Sequence, residues 1–274
     1  MLAINPKTKV VIKTRIPSEP KKVAFDENTI FLANYPRARV YAFNISDFKK
    51  KRDLILEKPL FVIEKKQNRP KDMLITDEFL FVATEPDEGC LGGALTIYNK
   101  KDKSLIVLRN LVDKFTINSL YYDDSLYFST SVRGGHINKP QPLYSSIFKF
   151  DINRNSLSEV QRLDDYTISS FTKFKKNWVI RTEKSTYFGN LKINIPLSQY
   201  FFNHFMNNSL LLYGQNGIYL IDDNVNSKLV YNKPVIDLVT VKNCIYFIDH
   251  EYKIKKILFE NFPMQSQNWM NTKD

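Results

Sequence analysis

One pattern recurs six times along this chain: a short apolar segment, a polar turn of two or three residues, and a second, strongly apolar segment. Asp, Asn or Ser marks most of the turns, which is typical of short β-strands joined by tight connections. The units are residues 22–33, 72–83, 117–129, 168–181, 202–213 and 236–248. Their spacing falls from about 50 residues to about 33, near the repeat lengths of β-propeller blades. The pattern therefore predicts a repeat protein built from strands.

Residues 115–163 form the fullest unit and predict four strands joined by three connections. A four-stranded antiparallel meander of this size is one blade of a β-propeller. Third-strand segments recur in other units, as in residues 40–43 and 95–98, and a fourth segment follows most of them. We therefore predict an all-β fold, a six-bladed β-propeller with four-stranded antiparallel blades. A seven-bladed ring is the alternative.

The two ends of the chain fit closure of such a ring. Residues 2–4 and 10–14 are apolar segments on either side of a polar turn, whereas the sixth unit has no clear fourth strand after Phe259. Pairing the N-terminal strand with the last blade supplies the missing strand and leaves no open edge. We predict one propeller domain over residues 1–263, closed by the N-terminal strand, and a C-terminal tail over residues 264–274.

The charge balance admits an acidic partner. The chain carries 40 Lys and Arg against 29 Asp and Glu, a formal net charge of +11, which permits nucleic acid, an anionic glycan or a membrane surface as the partner. The alternative is a solvated lysine-rich surface, because the lysines are spread over the whole chain. No apolar run approaches the roughly 20 residues of a membrane span, and the N-terminus shows no signal-peptide core. We expect a cytoplasmic protein, or a domain excised from a larger one.

Sequence motifs of enzymes and metal proteins are scarce. Cys90 and Cys244 are the two cysteines, and no CxxC, Walker A, GxGxxG or HExxH sequence occurs. His204 lies in an apolar segment, which indicates a core or channel residue, and His250 lies in a turn. Cys90 lies beside acidic residues, which disfavours a reactive thiolate. We predict no catalytic residue, no bound metal and no cofactor.

Three long or polar loops point to a binding face. In a propeller, the connections between second and third strands share one face with the connections between blades, and function tends to be carried by such loops on a rigid scaffold. Residues 34–39, 84–93 and 131–145 occupy this position in blades 1, 2 and 3, whereas blades 5 and 6 have tight turns. We therefore expect a ligand or partner to lie off-centre, over blades 1–3.

These loops contain the candidate binding residues. Arginine is suited to bidentate contacts with carboxylate, phosphate or sulfate, and Tyr35 is placed to stack on a sugar or a base. The alternative is that the arginines pair with the acids of the neighbouring loop and only lock it. The glycine pairs at 92–93 and 134–135 favour a role in backbone geometry. The predicted binding set is Tyr35, Arg37, Arg39, Glu85, Asp87, Glu88, Arg133, His136 and Asn138.

Two segments carry a resemblance to known proteins: residues 92–98, with sequence GGALTIY, and residues 129–135, with sequence STSVRGG. Together with the alternation of strand, acidic turn and aromatic strand, they resemble bacterial β-propellers of the broad WD40, YVTN and NHL-like type. The chain lacks the WD dipeptide and the regular double glycines of kelch blades. The resemblance implies a propeller. Because propellers serve as binding scaffolds, lyases, lactonases and glycosidases, it does not choose among these functions.

We predict a non-catalytic binding or scaffolding propeller. Its loop face over blades 1–3 is expected to recognise a partner protein or an anionic, saccharide-like ligand. The first alternative is a carbohydrate-active lyase or hydrolase that uses Glu85, Asp87, Arg133 and His136. The second alternative is nucleic-acid binding through the basic surface, which requires a contiguous stripe of Lys and Arg.

Overall fold

The computed structural model describes residues 2–4, 11–13, 18–46, 58–64, 66–134, 144–193, 201–206, 209–222, 226–241 and 244–258, with the backbone alone for residues 2–4, 11–13 and 201–206. The chain divides into two compact units, Met1–Thr167 and Ile168–Asp274. Nearly all of the regular structure in these ranges is β-strand. Within the same ranges, no helix is long and apolar enough to cross a membrane. The predicted tail over residues 264–274 lies outside the described residues.

The first unit contains a two-stranded sheet and three four-stranded antiparallel sheets, which we number first to third. The small sheet pairs β1 (Leu2–Ile4) with β2 (Val11–Lys13). The first sheet comprises β3 (Glu19–Phe25), β4 (Thr29–Tyr35), β5 (Arg39–Asn44) and β6 (Phe61–Val62). The second comprises β7 (Gln67–Ile75), β8 (Phe79–Pro86), β9 (Ala94–Asn99) and β10 (Leu105–Arg109). The third comprises β11 (Thr116–Tyr122), β12 (Leu126–Ser131), β13 (Ser145–Asp151) and β14 (Ser156–Leu163).

The second unit contains the fourth, fifth and sixth sheets, which are antiparallel meanders of the same kind. The fourth comprises β15 (Ile168–Phe174), β16 (Asn177–Thr182), β17 (Thr186–Phe188) and β18 (Leu191–Ile193). The fifth comprises β19 (Phe201–Met206), β20 (Ser209–Gly214), β21 (Gly217–Ile221) and β22 (Ser227–Tyr231). The sixth comprises β23 (Val235–Val241), β24 (Cys244–Asp249) and β25 (Ile254–Leu258).

The fold is an all-β, six-bladed β-propeller, so the six-bladed prediction is confirmed rather than the seven-bladed alternative. Five of the six sheets have four strands, and the sixth has three among the described residues. The N-terminal strand was predicted to be the fourth strand of that sheet. The pairing described for β2 is with β1, so closure by the N-terminal strand stays a prediction. The boundary of a single domain at residue 263 stays a prediction as well.

The second strand of each of the first five sheets has consecutive buried residues on both faces, which explains the continuous apolar runs in the sequence, whereas buried and half-buried residues alternate along β24 of the sixth sheet. In β8, Leu80 and Val82 pack into a cluster with the first sheet, whereas Phe81 and Ala83 pack into a cluster with the third. Successive side chains of a strand point to opposite faces, so one run of four apolar residues serves both neighbours. The strand β20 repeats this arrangement, with Leu210 and Leu212 in a cluster with the fourth sheet and Leu211 and Tyr213 in a cluster with the sixth.

A β-bulge recurs in the first strand of five sheets, and the fifth sheet is the exception. In each of these five strands, one residue is added beside a fully buried polar residue of the second strand, and β7 has a further bulge at Asn68. The bulged residues are Lys21, Lys71, Asn118, Ser169 and Ile236, and the buried polar residues beside them are Asn34, Thr84, Thr130, Thr182 and Asp249. Bulges bend a strand and redirect its side chains. These bulges therefore decide which side chains of the first strand reach the end of the sheet where the second strand runs into the third.

Candidate binding surface at the turn end of the first three sheets

The end of each sheet where its second strand runs into its third is called the turn end here. In the first sheet this connection, residues 36–38, lies against the start of the second sheet. The backbone N–H of Arg37 donates to the side-chain oxygen of Asn68 (2.9 Å), and that of Ala38 donates to the Asn68 carbonyl (2.8 Å). Both Arg37 and Ala38 have a left-handed backbone. The Arg37 side chain is exposed beside the second sheet.

The connection of the second sheet, residues 87–93, is bonded to the third sheet. The backbone N–H of Gly93 donates to the carbonyl of Phe115 (2.8 Å). A Cβ atom added to Gly93 would collide with the Thr84 carbonyl and lie 2.8 Å from the backbone nitrogen of Ile117. At Gly92 the backbone is left-handed, and an added Cβ would collide with the side chain of Asn110. The glycine pair therefore serves backbone geometry, as the sequence indicated.

The connection of the third sheet begins beside the second sheet. The Arg133 side chain is exposed, and its backbone N–H donates to the Ser131 hydroxyl (3.0 Å). The Ser131 hydroxyl also shares a hydrogen bond of 2.6 Å with the hydroxyl of Thr167. A Cβ added to Gly134 would collide with the Thr116 hydroxyl and lie 3.4 Å from Cδ of Pro86. The three connections therefore follow one another along the turn end of the first unit.

Tyr35 lies at the centre of a charged group that we call the Tyr35 cluster, formed by Lys21, Tyr35, Arg69, Lys71 and Glu85. The Arg69 guanidinium lies over the Tyr35 ring, 5.0 Å from its centroid, and Lys21 Nζ lies 5.8 Å from the same centroid. Glu85 Oε2 accepts a hydrogen bond from Lys71 Nζ (3.3 Å), and Glu85 Oε1 lies 3.8 Å from Arg69 Nε. The cluster joins one sheet to the next through an aromatic ring and a shared carboxylate.

The structure brings some of the predicted binding residues together and separates others. Tyr35 and Glu85 share the Tyr35 cluster, with Arg37 beside it through Asn68. Arg39 pairs in register with Asn34, one residue before Tyr35, so side-chain alternation directs Arg39 to the other face of the first sheet. Asp87 is half-buried, and Glu88 is exposed. His136 and Asn138 lie outside the described residues.

The predicted ion pairs between loop arginines and neighbouring acids are not formed by Arg37 or Arg39 within the described residues, and for Arg133 they stay a prediction. Over the described residues, no ion pair joins Arg37 or Arg39 to Glu85, Asp87 or Glu88; Glu85 pairs with Arg69 and Lys71 instead. Sequence reasoning missed these two cations and Lys21. The sequence contains one indication of these three residues, because each lies next to a proline just before a predicted unit. That they meet Tyr35 and Glu85 depends on strand register, which a single sequence does not supply.

No metal-binding group is found at the part of this surface that the structure describes. Among the described residues, no set of three His, Cys, Asp or Glu side chains is placed to hold a metal ion. His250 lies in an exposed turn, with Nε2 3.9 Å from Glu251, and the side chain of His204 is outside the described set. The enzymatic alternative needs His136, which is also outside it. The enzymatic and nucleic-acid alternatives stay predictions.

Comparison with known proteins gives the fold and no family. No family model matches the chain, and no curated protein matches it in sequence. The crystal structure of the computationally designed Ika8 protein is 10% identical, with a TM-score of 0.58, covering 90% of this chain and 74% of that chain. A chain of the mitotic checkpoint complex is also 10% identical, with a TM-score of 0.58, covering 87% of this chain and 80% of that chain. At such identity the likeness shows the fold alone.

The sheets and these likenesses together define the class of the protein, a six-bladed β-propeller. The narrower resemblance to WD40, YVTN and NHL-like proteins, and the bacterial origin that went with it, stay predictions.

Proposed function

We propose that this propeller is a non-catalytic binding or scaffolding module that recognises a partner protein or an anionic, saccharide-like ligand. The recognition surface is the turn end of the first three sheets. One observation carries the proposal: consecutive connections of three sheets lie side by side there and present exposed arginines, Arg37 and Arg133. A rigid scaffold with clustered loops is the usual setting for a binding surface.

The chemistry of this surface favours an anion. Arg37 and Arg133 project from backbone that is fixed by hydrogen bonds to Asn68 and Ser131, so little backbone freedom is lost when a ligand binds. Guanidinium groups remain charged at all physiological pH values and form forked contacts with carboxylate, sulfate and phosphate. A ligand that carries such groups would bind across the second sheet, between the two arginines.

The test uses charge reversal at both arginines. We expect the double variant Arg37→Glu/Arg133→Glu to bind an anionic probe roughly tenfold more weakly than the unchanged protein, because charge-assisted hydrogen bonds are lost and repulsion is added. The probes are a heparin-derived oligosaccharide and a ten-residue peptide of alternating Glu and Ser. Binding is measured by titration calorimetry at low and at physiological salt, since screening weakens exposed contacts.

A matched control lies at the opposite end of the second sheet. Lys101 and Lys103 are exposed in the turn between β9 and β10, and Lys103 has a left-handed backbone like Arg37. The variant Lys101→Glu/Lys103→Glu makes the same change in total charge and should keep the affinity. Failure of both probes to bind, or equal weakening by the control pair, would overturn the proposed function.

A further inference from the structure

We infer that the ligand of this surface is an acidic peptide segment of a partner protein, and that Arg69, Lys21 and Lys71 of the Tyr35 cluster bind its carboxylates. The inference rests on the proposed function and narrows it in two ways. It names a ligand class, and it assigns binding to three residues inside the turn end in addition to the exposed loop arginines.

The two lysines occupy the same position in successive sheets. Lys21 is the bulged residue of β3, between Pro20 and Lys22, and Lys71 is one of two bulged residues of β7, between Pro70 and Asp72. A bulged residue is left out of the ladder and its side chain is re-aimed. In both sheets the re-aimed side chain is a lysine, and each lysine reaches a carboxylate, Glu19 for Lys21 and Glu85 for Lys71.

Arg69 is held by stacking, and its donors remain available to a ligand. Its guanidinium lies over the Tyr35 ring, which fixes a planar fork in one orientation. No hydrogen bond joins the Arg69 side chain to another described residue, and its buried Nε has no hydrogen-bond partner. The carboxylate of Glu85 stands 3.8 Å from Nε, beyond hydrogen-bonding range. The side chain is 36% exposed, so its outer N–H groups face solvent.

The charges of the region leave a positive excess. Three cations, Lys21, Arg69 and Lys71, share two carboxylates, Glu19 and Glu85. One positive charge is therefore not balanced within the group, and exposed Arg37 stands beside it through Asn68. A negatively charged group is the complement of such a surface.

The aromatic ring favours a peptide over a saccharide. Saccharide and base recognition uses an open aromatic face for stacking, but Lys21 and Arg69 already lie over the Tyr35 ring. The Tyr35 cluster instead presents the N–H donors of three cationic side chains. Arg69 and Lys21 lie 5.0 and 5.8 Å from one centroid, hence within about 11 Å of each other, and side chains two residues apart in an extended peptide are about 7 Å apart. Two acidic side chains at alternate positions of an extended segment lie within this upper limit, so one segment can reach both cations.

The experiment compares two substitutions of opposite expected sign. Arg69→Met removes the fork but keeps an apolar stem over Tyr35, and we expect it to weaken binding of the alternating Glu–Ser peptide roughly tenfold. Glu85→Gln removes the carboxylate that competes for Lys71 and Arg69, and we expect it to strengthen binding several-fold. Damage to folding would weaken binding in both variants, so a gain with Glu85→Gln separates ligand contact from structural support.

Two further variants test whether the guanidinium fork of Arg69 contacts the ligand, and the two probes test whether that ligand is a peptide or a saccharide. Arg69→Lys keeps the charge without the fork, and we expect an affinity between those of Arg69→Met and the unchanged protein. Lys101→Met, at the far end of the same sheet, should leave binding unchanged. If only the heparin-derived oligosaccharide binds, or if Arg69→Met has no effect while Arg37→Glu/Arg133→Glu does, the inference is wrong and the proposed function stands. If neither probe binds, both are wrong.

Discussion

The second and the fifth sheet are built from the same four-stranded meander but finish their turn ends in different ways. In the second sheet, residues 87–93 link β8 to β9, and their last residue, Gly93, is bonded to Phe115 of the segment that leads into the third sheet. In the fifth sheet, two residues link β20 to β21, and Gly214 pairs directly with Gly217. The first arrangement ties neighbouring sheets together, and the second closes a sheet upon itself.

The difference extends to the first strands of the two sheets. Beside the fully buried Thr84 of β8, the opposite strand carries a bulge at Lys71. Beside Gly214 of β20, the opposite strand is regular. In the second sheet, a buried polar residue at the end of the second strand thus accompanies a bulge in the first strand, and that bulge directs the Lys71 side chain to the candidate binding surface. The fifth sheet, with its two-residue turn, has a glycine at this position and no bulge in its described first strand.

The largest expected effect on stability comes from substituting the glycines at the end of the β8–β9 and β20–β21 connections. Gly93→Ala places a Cβ against the Thr84 carbonyl and 2.8 Å from the nitrogen of Ile117, so we expect a loss of at least about 3 kcal/mol in the free energy of unfolding. Gly217→Ala places a Cβ against the Tyr231 carbonyl of its own sheet, at a backbone φ of +113°, and should destabilise comparably. Denaturant unfolding gives both values.

Hydrogen exchange then distinguishes the two turns. Gly93→Ala should raise exchange in β8, β9 and the first strand of the third sheet, whereas Gly217→Ala should raise it within β21 and β22. Gly89→Ala is the control, because its Cβ meets no atom within 4 Å and only the left-handed backbone penalty of about 1 kcal/mol remains. Exchange confined to the second sheet in Gly93→Ala would contradict the claim that this turn couples two sheets.

A smaller effect tests the buried polar residue beside the bulge. The Thr84 hydroxyl donates its one proton to the side-chain oxygen of Gln67 (2.7 Å), and the carbonyl of Ala94 is a second, more distant acceptor (3.3 Å). Thr84→Val keeps the shape and removes this donor from two buried acceptors, so we expect a loss of about 1–2 kcal/mol in unfolding free energy.

Thr96, on the next strand of the same sheet, supplies the matched control. It is as fully buried as Thr84, but its hydroxyl has no hydrogen-bond partner. Thr96→Val should therefore be neutral or stabilising, because a buried unsatisfied hydroxyl is removed. Equal losses at Thr84 and Thr96 would show that the hydrogen bonds of Thr84 do not support the turn.

The sheets could be predicted from the sequence because their signal is local. Four consecutive apolar residues such as Leu80 to Ala83, preceded by a turn at 76–78, indicate a strand buried on both faces, and the structure places two side chains of this run in each neighbouring cluster. The turns are equally local: Asp26 accepts hydrogen bonds from the backbone N–H groups of Asn28 and Thr29, which is why Asp marks them.

The site was predicted less well, because its residues are combined by register. Arg37 and Arg39 are two residues apart in a loop and were grouped together, yet the register of β4 with β5 directs Arg39 to the face opposite Tyr35. Arg69 and Lys71 precede the segment taken as the start of the second unit. A bulge becomes visible only when the opposite strand is known, so the two lysines could not be assigned to one surface from the chain alone.

The smallest expected effect on stability near neutral pH concerns the sixth sheet. In this sheet, Asp249 takes the position that Thr84 has in the second sheet. Lys255 Nζ lies 2.7 Å from Asp249 Oδ2. This ion pair, together with the hydrogen bonds that Asp249 accepts from the backbone N–H groups of Lys253 and Glu251, lowers the Asp249 pKa from 3.8 to about 2 despite burial. A lowered carboxyl pKa gives stability that is present above the unfolded-state pKa and is lost as pH falls through the folded one. The protein should therefore lose stability between about pH 4 and pH 2.

Lys255→Met removes the main cause of the low pKa, so the Asp249 pKa should rise and the decline in unfolding free energy below pH 4 should become shallower. Lys256→Met is the matched control, because Lys256 is exposed and lies over the Tyr246 ring instead. Urea unfolding at half-unit steps from pH 2 to pH 6 compares the slopes. An unchanged slope in Lys255→Met would mean that this ion pair does not hold the turn. The sixth sheet would then close its turn through the backbone bonds to Asp249 alone, in a self-contained manner closer to the fifth sheet than to the second.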